Sequence, residues 1–401
     1  MERTRRELIG IGVGGVALAA VGGGLWRELL DDAPRAAPRR PSGYGPRRAP
    51  DGNGIRLPDG FESRVVARGE QDVAGTGYRW HEASDGMATF PTRDGGWILV
   101  SNSETLDGGA SAIRFERDGG IADAYRILAG TTQNCSGGGT PWGTWLSCEE
   151  VGGGFVWECD PTGRRPAVKR PAMGAFKHEA AAVDPRGKRV YLTEDLVDGG
   201  FYRFTPRSWP DLGEGLLEIA SVARSGSTRW TEVPDPAGRS TPTRRQVRGS
   251  TRFQRGEGIW HEDGTVYVST TADHRVHAYD IRRERFEVIY DGLASRSAPL
   301  LRVDQLTASH GGEIFVCEDL ATEEIDIGVF DRTGRVSRFL SATGELHAGS
   351  ELTGVTFDPS GRRMYFASQR AGGEDGLPGP GAIFEVTGPF RRGPSQTVHA
   401  N

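Results

Sequence analysis

The chain is punctuated by short apolar runs, each opened by glycine and closed on polar or acidic residues. Six of them share one pattern: Gly95-Gly-Trp-Ile-Leu-Val-Ser-Asn-Ser-Glu104, Gly143-Thr-Trp-Leu-Ser-Cys-Glu149, Gly187-Lys-Arg-Val-Tyr-Leu-Thr-Glu-Asp195, Gly264-Thr-Val-Tyr-Val-Ser-Thr-Thr271, Gly312-Glu-Ile-Phe-Val-Cys-Glu-Asp319 and Gly361-Arg-Arg-Met-Tyr-Phe-Ala-Ser-Gln369. β-branched and aromatic runs bounded by turn residues read as strands. Each is preceded by a partner run that also starts on a polar residue, at Asp85, Asn134, His178-Glu179, Glu257, Asp304 and Glu351. Several are followed by a third, as in Phe201-Tyr-Arg-Phe, Val276-His-Ala-Tyr-Asp and Ala382-Ile-Phe-Glu-Val. The leading glycines are separated by 48, 44, 77, 48 and 49 residues. A four-stranded unit repeating at roughly 40–50 residues is the signature of a propeller blade. Six units therefore predict an all-β, six-bladed β-propeller, with the long third interval absorbed by an insertion over about residues 205–255, rich in Arg, Pro, Ser and Thr. Innermost strands of a propeller aim their ends at the central channel, so the acidic strand ends are expected to converge there.

Composition supports this picture. The 401 residues include 59 Gly and only 4 Met, and long helical heptads are absent. A net charge of -5 leaves no broad basic face, which argues against a nucleic-acid partner. The first 26 residues, with Arg5-Arg6 ahead of a mildly apolar Gly/Ala-rich stretch, read as a twin-arginine export signal or a single membrane anchor. Residues 27–54, rich in Pro and Arg, read as a disordered tether, and 55–401 as the propeller domain. The twin-arginine machinery is then one partner, the membrane is met only through this leader, and the folded part is expected to be periplasmic, cell-surface or extracellular, and monomeric.

The stretch Asn134-Cys135 to Cys148-Glu149-Glu150 concentrates the candidate chemistry. A strand ending on Cys-Glu-Glu is costly unless something binds those groups, because buried anions need a cation or several donors. Converging carboxylates also repel one another unless a cation neutralises them. Carboxylate and Asn oxygens suit a hard ion such as calcium. A thiolate, from Cys148 or Cys135, asks for a softer ion such as iron or zinc. The four cysteines (135, 148, 159 and 317) show no C-x-x-C spacing, and a Cys135–Cys148 disulfide is the plain alternative to ligation. No Gly-x-Ser-x-Gly elbow or Walker loop is present. His178, beside Glu179, is a candidate ligand or supporting partner, although a lone His is more often structural; His261 and His310 read as loop residues.

Asn134 to Glu150 resembles the signature of PhoX-type alkaline phosphatases. So do Lys177-His-Glu-Ala-Ala-Ala-Val-Asp-Pro185, Val190-Tyr-Leu-Thr-Glu-Asp195, Glu257-Gly-Ile-Trp260, Cys317-Glu-Asp319 and Glu351-Leu-Thr-Gly-Val-Thr-Phe-Asp-Pro-Ser-Gly361. The resemblance implies a short member of a family of exported propellers that hydrolyse small phosphomonoesters with a calcium and iron cluster. It implies Cys148 as the iron-ligating thiolate and Glu179, Glu194, Glu257 and Glu351 as metal ligands, joined by Glu149, Glu318, Asp319 and Glu104. Asn134, Cys148 and Glu351 are the catalytic candidates. The family's Arg-Pro-Glu segment, which supplies an arginine to the phosphate, corresponds on this reading to Gly349-Ser350-Glu351, so that arginine is missing and Arg370 or His347 is its candidate substitute. Two other functions compete: a calcium-dependent lactonase or phosphotriesterase with oxygen ligands, and a non-enzymatic binding propeller whose metals only hold the blades.

Overall fold

A computed structural model describes residues 43–373 and 377–391; the expected leader (1–26) and residues 27–42 of the tether lie outside the described residues. Among the described residues, the strands form six antiparallel sheets of four or five strands. The innermost strands are Ser84–Pro91, Asn134–Gly139, His178–Asp184, Gly256–Glu262, Val303–Ala308 and Leu352–Phe357. Each packs against the next and the last against the first, so the sheets close into a six-bladed propeller. Buried apolar clusters fill the spaces between neighbouring blades. No helix among the described residues is long and apolar enough to cross a membrane.

Two boundaries differ from expectation. The 205–255 segment is not one loop: Asp211–Val222 and Thr228–Glu232 form the fourth and fifth strands of the third blade. Gly213, Glu214 and Gly215 interrupt the alternation that would have marked the first of them. Order also begins before Ile55. Tyr44 packs edge-on against Phe61 and Phe339, and Arg47 pairs with the buried Asp326 at 2.7 Å. The end of the proline-rich tether is thus part of the folded body. Beyond it, Glu62–Arg68 forms the outer strand of the sixth blade by pairing with Ala382–Thr387.

One local irregularity recurs in every blade. The register between the innermost strand and its neighbour shifts just after the start, at Ser84/Met87, Asn134/Gly137, His178/Ala181, Gly256/Ile259, Val303/Leu306 and Thr353/Thr356. Such a bulge sets two residues against one and re-aims a side chain. The second residues of the first five inner strands are Asp85, Cys135, Glu179, Glu257 and Asp304, and these meet in the channel.

A bulge also takes carbonyls out of the ladder, and each buried one needs a donor. The preceding blade supplies it. Asn102 Nδ2 donates to the carbonyls of Cys135 (3.1 Å) and Ser136 (2.7 Å), Thr193 Oγ1 to that of Glu257 (2.6 Å), and Ser269 Oγ to that of Asp304 (2.5 Å). In the first and fourth blades the fit is tight enough to require glycine next to the aimed residue. A Cβ on Gly86 would lie 2.5 Å from Ser136 Cα, and one on Gly258 2.6 Å from Gln305 Cα.

Candidate functional site

Among the described residues, three overlapping groups of ligand-type atoms occupy the channel: Asp85, Glu104 and Cys135; Cys135, Glu150 and Glu179; and Glu179, Glu257 and Asp304, with the atoms of each group within 4.8 Å of one another. Cys135 joins the first two groups and Glu179 the last two. Two rows of residues build them. One is the row of bulged inner-strand positions. The other lies just past the end of each second strand: Glu104, Glu150, Asp195, Thr271, Asp319 and Gln369 each follow by one residue the partner of the inner strand's first residue.

Burial and mutual repulsion dominate the electrostatics. Burial first, then Glu104, push the Asp85 carboxyl up to about 7. Burial and neighbouring carboxylates hold Glu150, Glu179, Glu257, Asp304 and Glu351 well above the usual range. The Cys135 thiol is raised by burial and by Asp85 and Glu179, and its Sγ donates to Glu179 Oε1 at 3.2 Å. Glu179 Oε2 is buried with no hydrogen-bond partner among the described residues; Glu257 Oε1 lies 2.8 Å from Arg255 Nη2, not aligned as a hydrogen bond. Unsatisfied acceptors among crowded carboxylates fit a bound cation.

Protein cations stand along one side of this cluster. Lys177 Nζ bridges Glu150 (2.7 Å) and Asp195 (2.8 Å). Arg255 pairs with Asp195 at 2.7 Å and reaches Asp319 at 3.5 Å, and Arg302 also pairs with Asp319. Burial works against ionisation of Asp195, but Arg255 and Lys177 overcome it and hold its carboxyl below the ordinary range. Lys177, Arg255 and Arg302 each immediately precede an inner strand, so they share one level of the channel. A wide cavity of ≈ 1880 Å³ opens at the opposite end, walled by the far halves of the inner strands; the clustered acids are not in its wall, and Gln305 is.

Of the residues expected from sequence, Glu104, Glu179 and Glu257 belong to the three groups. Half-buried Glu351 stands beside them, close enough that Asp319, Glu104 and Asp85 raise its carboxyl. Asp319 is taken up by Arg302 and Arg255. The others point elsewhere. Cys148 is fully buried in the apolar layer between the second and third blades with Leu146, Val156 and Phe176, and the thiol in the channel is Cys135. The two cysteines are free rather than bridged. Glu149 accepts from the backbone of Thr132 (3.3 Å) and Phe155 (3.1 Å), and Glu318 from that of Leu301 (2.6 Å) and Asp326 (3.1 Å). Glu194 is satisfied by Gly200 N, Tyr202 and Arg244 at 2.8–2.9 Å. Asn134 spends its amide on Ser147, Gly109 and Thr131. The candidate substitute His347 is locked between Asn53 O and Ser368, while Arg370 lies beside Glu104 O at 3.3 Å. His178 is stacked on Phe176 and bonded to Gly174 O.

Asp85, Cys135, Glu150 and Asp304 are not in the ligand set that the resemblance implies, although Cys135 is named there as the alternative thiolate and Asp85 and Asp304 as converging strand starts. Three of them sit at the polar starts of the inner-strand runs, and Glu150 directly follows the chosen Glu149. The arginine expected two residues before Glu351 has a counterpart two residues before Glu257, in Arg255-Gly256-Glu257.

Known proteins agree with this architecture. The sequence model of the alkaline phosphatase PhoX family matches residues 108–153 and 152–287. The crystal structure of Pseudomonas fluorescens PhoX in complex with vanadate, a transition-state analogue, superposes with a TM-score of 0.71 at 18% identity, over 88% of this chain and 97% of that one. Residues 108–287 thus resemble the PhoX family, and the ring as a whole shares the fold of that protein. A Bacteroides thetaiotaomicron protein of unknown function also shares the fold, at a TM-score of 0.52 and 12% identity, over 86% of this chain and 83% of that one. No curated protein matches the sequence.

Proposed function

We propose that this chain is an exported, metal-dependent phosphomonoesterase. The observation that carries the proposal is the three linked carboxylate–thiol groups, flanked on one side by Lys177, Arg255 and Arg302. Asp85, Glu104, Glu179, Glu257 and Asp304 supply hard oxygen ligands suited to calcium, and Cys135 supplies the soft one suited to iron. Bound there, such ions neutralise phosphoryl oxygens and lower the pKa of a bound water. Cys135, shared by two of the groups, sets this centre apart from a lactonase site built on oxygen ligands alone.

The protein's own part is placement. Arg255 carries a forked guanidinium, the side chain best shaped for two phosphate oxygens. Lys177 adds a point charge on the same side. Asp195 holds both cations between the second and fourth blades, so neither has to be ordered when substrate arrives. Glu351 and Arg370 form the opposite wall. Glu194 supports this arrangement from behind through Arg244 and is not assigned to a metal. Export by the leader's paired arginines, a location outside the cytoplasm and a monomeric state complete the proposal.

The test is phosphate release from a generic aryl phosphate by the full chain supplied with calcium and iron, with bound metal measured by elemental analysis. Cys135→Ala is expected to lose iron and to lower turnover at least a hundredfold. Cys148→Ala, which removes only an apolar contact, is expected to keep its metal content. Loss of metal in Cys148→Ala with retention in Cys135→Ala would reverse the assignment, and a metal-replete wild type that releases no phosphate would overturn the function.

A further inference from the structure

Two glutamines grip Asp85, and they differ in a way that bears on metal binding. Gln305, on the fifth blade's inner strand, crosses the channel: its Nε2 donates to Asp85 Oδ1, and its Oε1 accepts from Gly354 N of the sixth blade at 2.5 Å. A backbone N–H can only donate, so the Gln305 amide is locked in one orientation. With Gly86 N also donating to Oδ1 at 2.6 Å, that oxygen of Asp85 is fully committed. Oδ2 is the one left for the channel.

Gln369 serves that second oxygen. It is 1% exposed and follows the second strand of the sixth blade, in the row that supplies Glu104 and Glu150. Its Nε2 lies 2.5 Å from Asp85 Oδ2 and 2.6 Å from Glu104 Oε2, bridging the two carboxylates of the first group. Both of its amide contacts are to carboxylates. Unlike Gln305, it faces no backbone donor among the described residues that dictates which end points inward. A cation shared by the same two oxygens calls for an acceptor where the Nε2 donor now stands. The terminal torsion of glutamine is broad and roughly two-fold. Turning the amide over exchanges Nε2 for Oε1 without moving the rest of the side chain, and glutamine carbonyl oxygens are ordinary ligands of hard divalent ions.

We infer that Gln369 is a reversible metal ligand: its amide nitrogen bridges Asp85 and Glu104, and its amide oxygen joins them on a hard divalent cation. Gln305 is the fixed counterpart that keeps Asp85 Oδ2 aimed at that cation. This rests on the metal-dependent function proposed above, and it assigns the first group to an oxygen-rich ion while Cys135 turns to the second.

Calcium titration of the chelator-stripped full chain, followed by calorimetry and by the shift in melting temperature, tests it without reference to turnover. Gln369→Met keeps the length and removes the oxygen; calcium affinity is expected to fall at least tenfold. Gln369→Glu places a permanent acceptor there; the stripped protein is expected to melt lower than wild type and to gain more from calcium. If Gln369 is only a donor competing with the ion, Gln369→Met binds calcium as tightly as wild type or more so, which overturns the inference. Should Gln369→Met not fold, Gln369→Glu decides, and a smaller calcium gain than in wild type overturns it equally. A wild-type chain that takes up no calcium removes the calcium component of the proposed centre as well as this inference, whereas normal wild-type uptake with unaffected variants removes the inference alone.

Discussion

At the scale of single residues, adjacency in sequence and adjacency in space part company. Glu149 and Glu150, or Glu194 and Asp195, are equally acidic, but neighbours along a strand end face opposite ways. The first of each pair turns back to cap loop backbone or meet Arg244, and the second faces the channel. The same alternation sends Cys148 into an apolar layer while Cys135, on a bulge, reaches the centre. The acidic pairs were legible in sequence; which member faces inward depends on register, and register depends on the bulges, which carry no marker beyond a glycine or another small residue. Buried histidines show the same dependence on surroundings. Burial first, then Arg126, lower the pKa of His81 to about 3. Its folded pKa lies below the unfolded value, so the unfolded chain gains a proton under about pH 6.5 that the folded chain refuses. The stability advantage of wild type over His81→Asn should therefore shrink as pH falls from about 6.5 toward 3, by at most about 1.4 kcal/mol per pH unit. Urea melts of both proteins across that range check it, and a constant difference would show that His81 titrates normally.

At the scale of elements, blade count and strand positions could be read from period and turn residues because each blade repeats the same burial problem. The extra strands of the third blade and the early start of order could not. The reasons differ: Thr228–Glu232 pairs with its hairpin neighbour Asp211–Val222, whose alternation is interrupted, whereas Tyr44 gains its apolar surroundings from Phe315, Phe339 and Phe390, far away in sequence. A chain starting at Gly43 should match the full-length protein in thermal denaturation. A chain starting at Ile55 should be destabilised by about 3 kcal/mol or more, the scale for losing a large aromatic from a packed cluster. Identical melting of the two would mean that Tyr44 packs without contributing.

At the scale of the molecule, the centre ties the ring together: its three groups draw on five of the six blades, and Gln369 adds the sixth. Stripping the ions should lower the stability of the whole propeller, with each tenfold rise in free calcium above its dissociation constant restoring about 1.4 kcal/mol per site. The pH response of the stripped protein should also run opposite to that of His81. Asp85 is raised to about 7 from an ordinary value near 4, so its folded form favours the proton, and the stripped protein should be firmer at pH 5 than at pH 8. Equal melting at both values would contradict this.

The pairing of Glu62–Arg68 with Ala382–Thr387 bears on biosynthesis. A growing polypeptide cannot complete the sixth blade until its last strand has left the ribosome, although the closing strand was among the first made. Blades two to five, and with them the groups joined by Glu179, can assemble on a nascent chain. The group of Asp85, Glu104 and Cys135 takes its bridging amide from Gln369, on the sixth blade, a residue made after the other five blades. On the metal-dependent reading proposed above, ion uptake then has a built-in order, its last position completed only once the ring has closed.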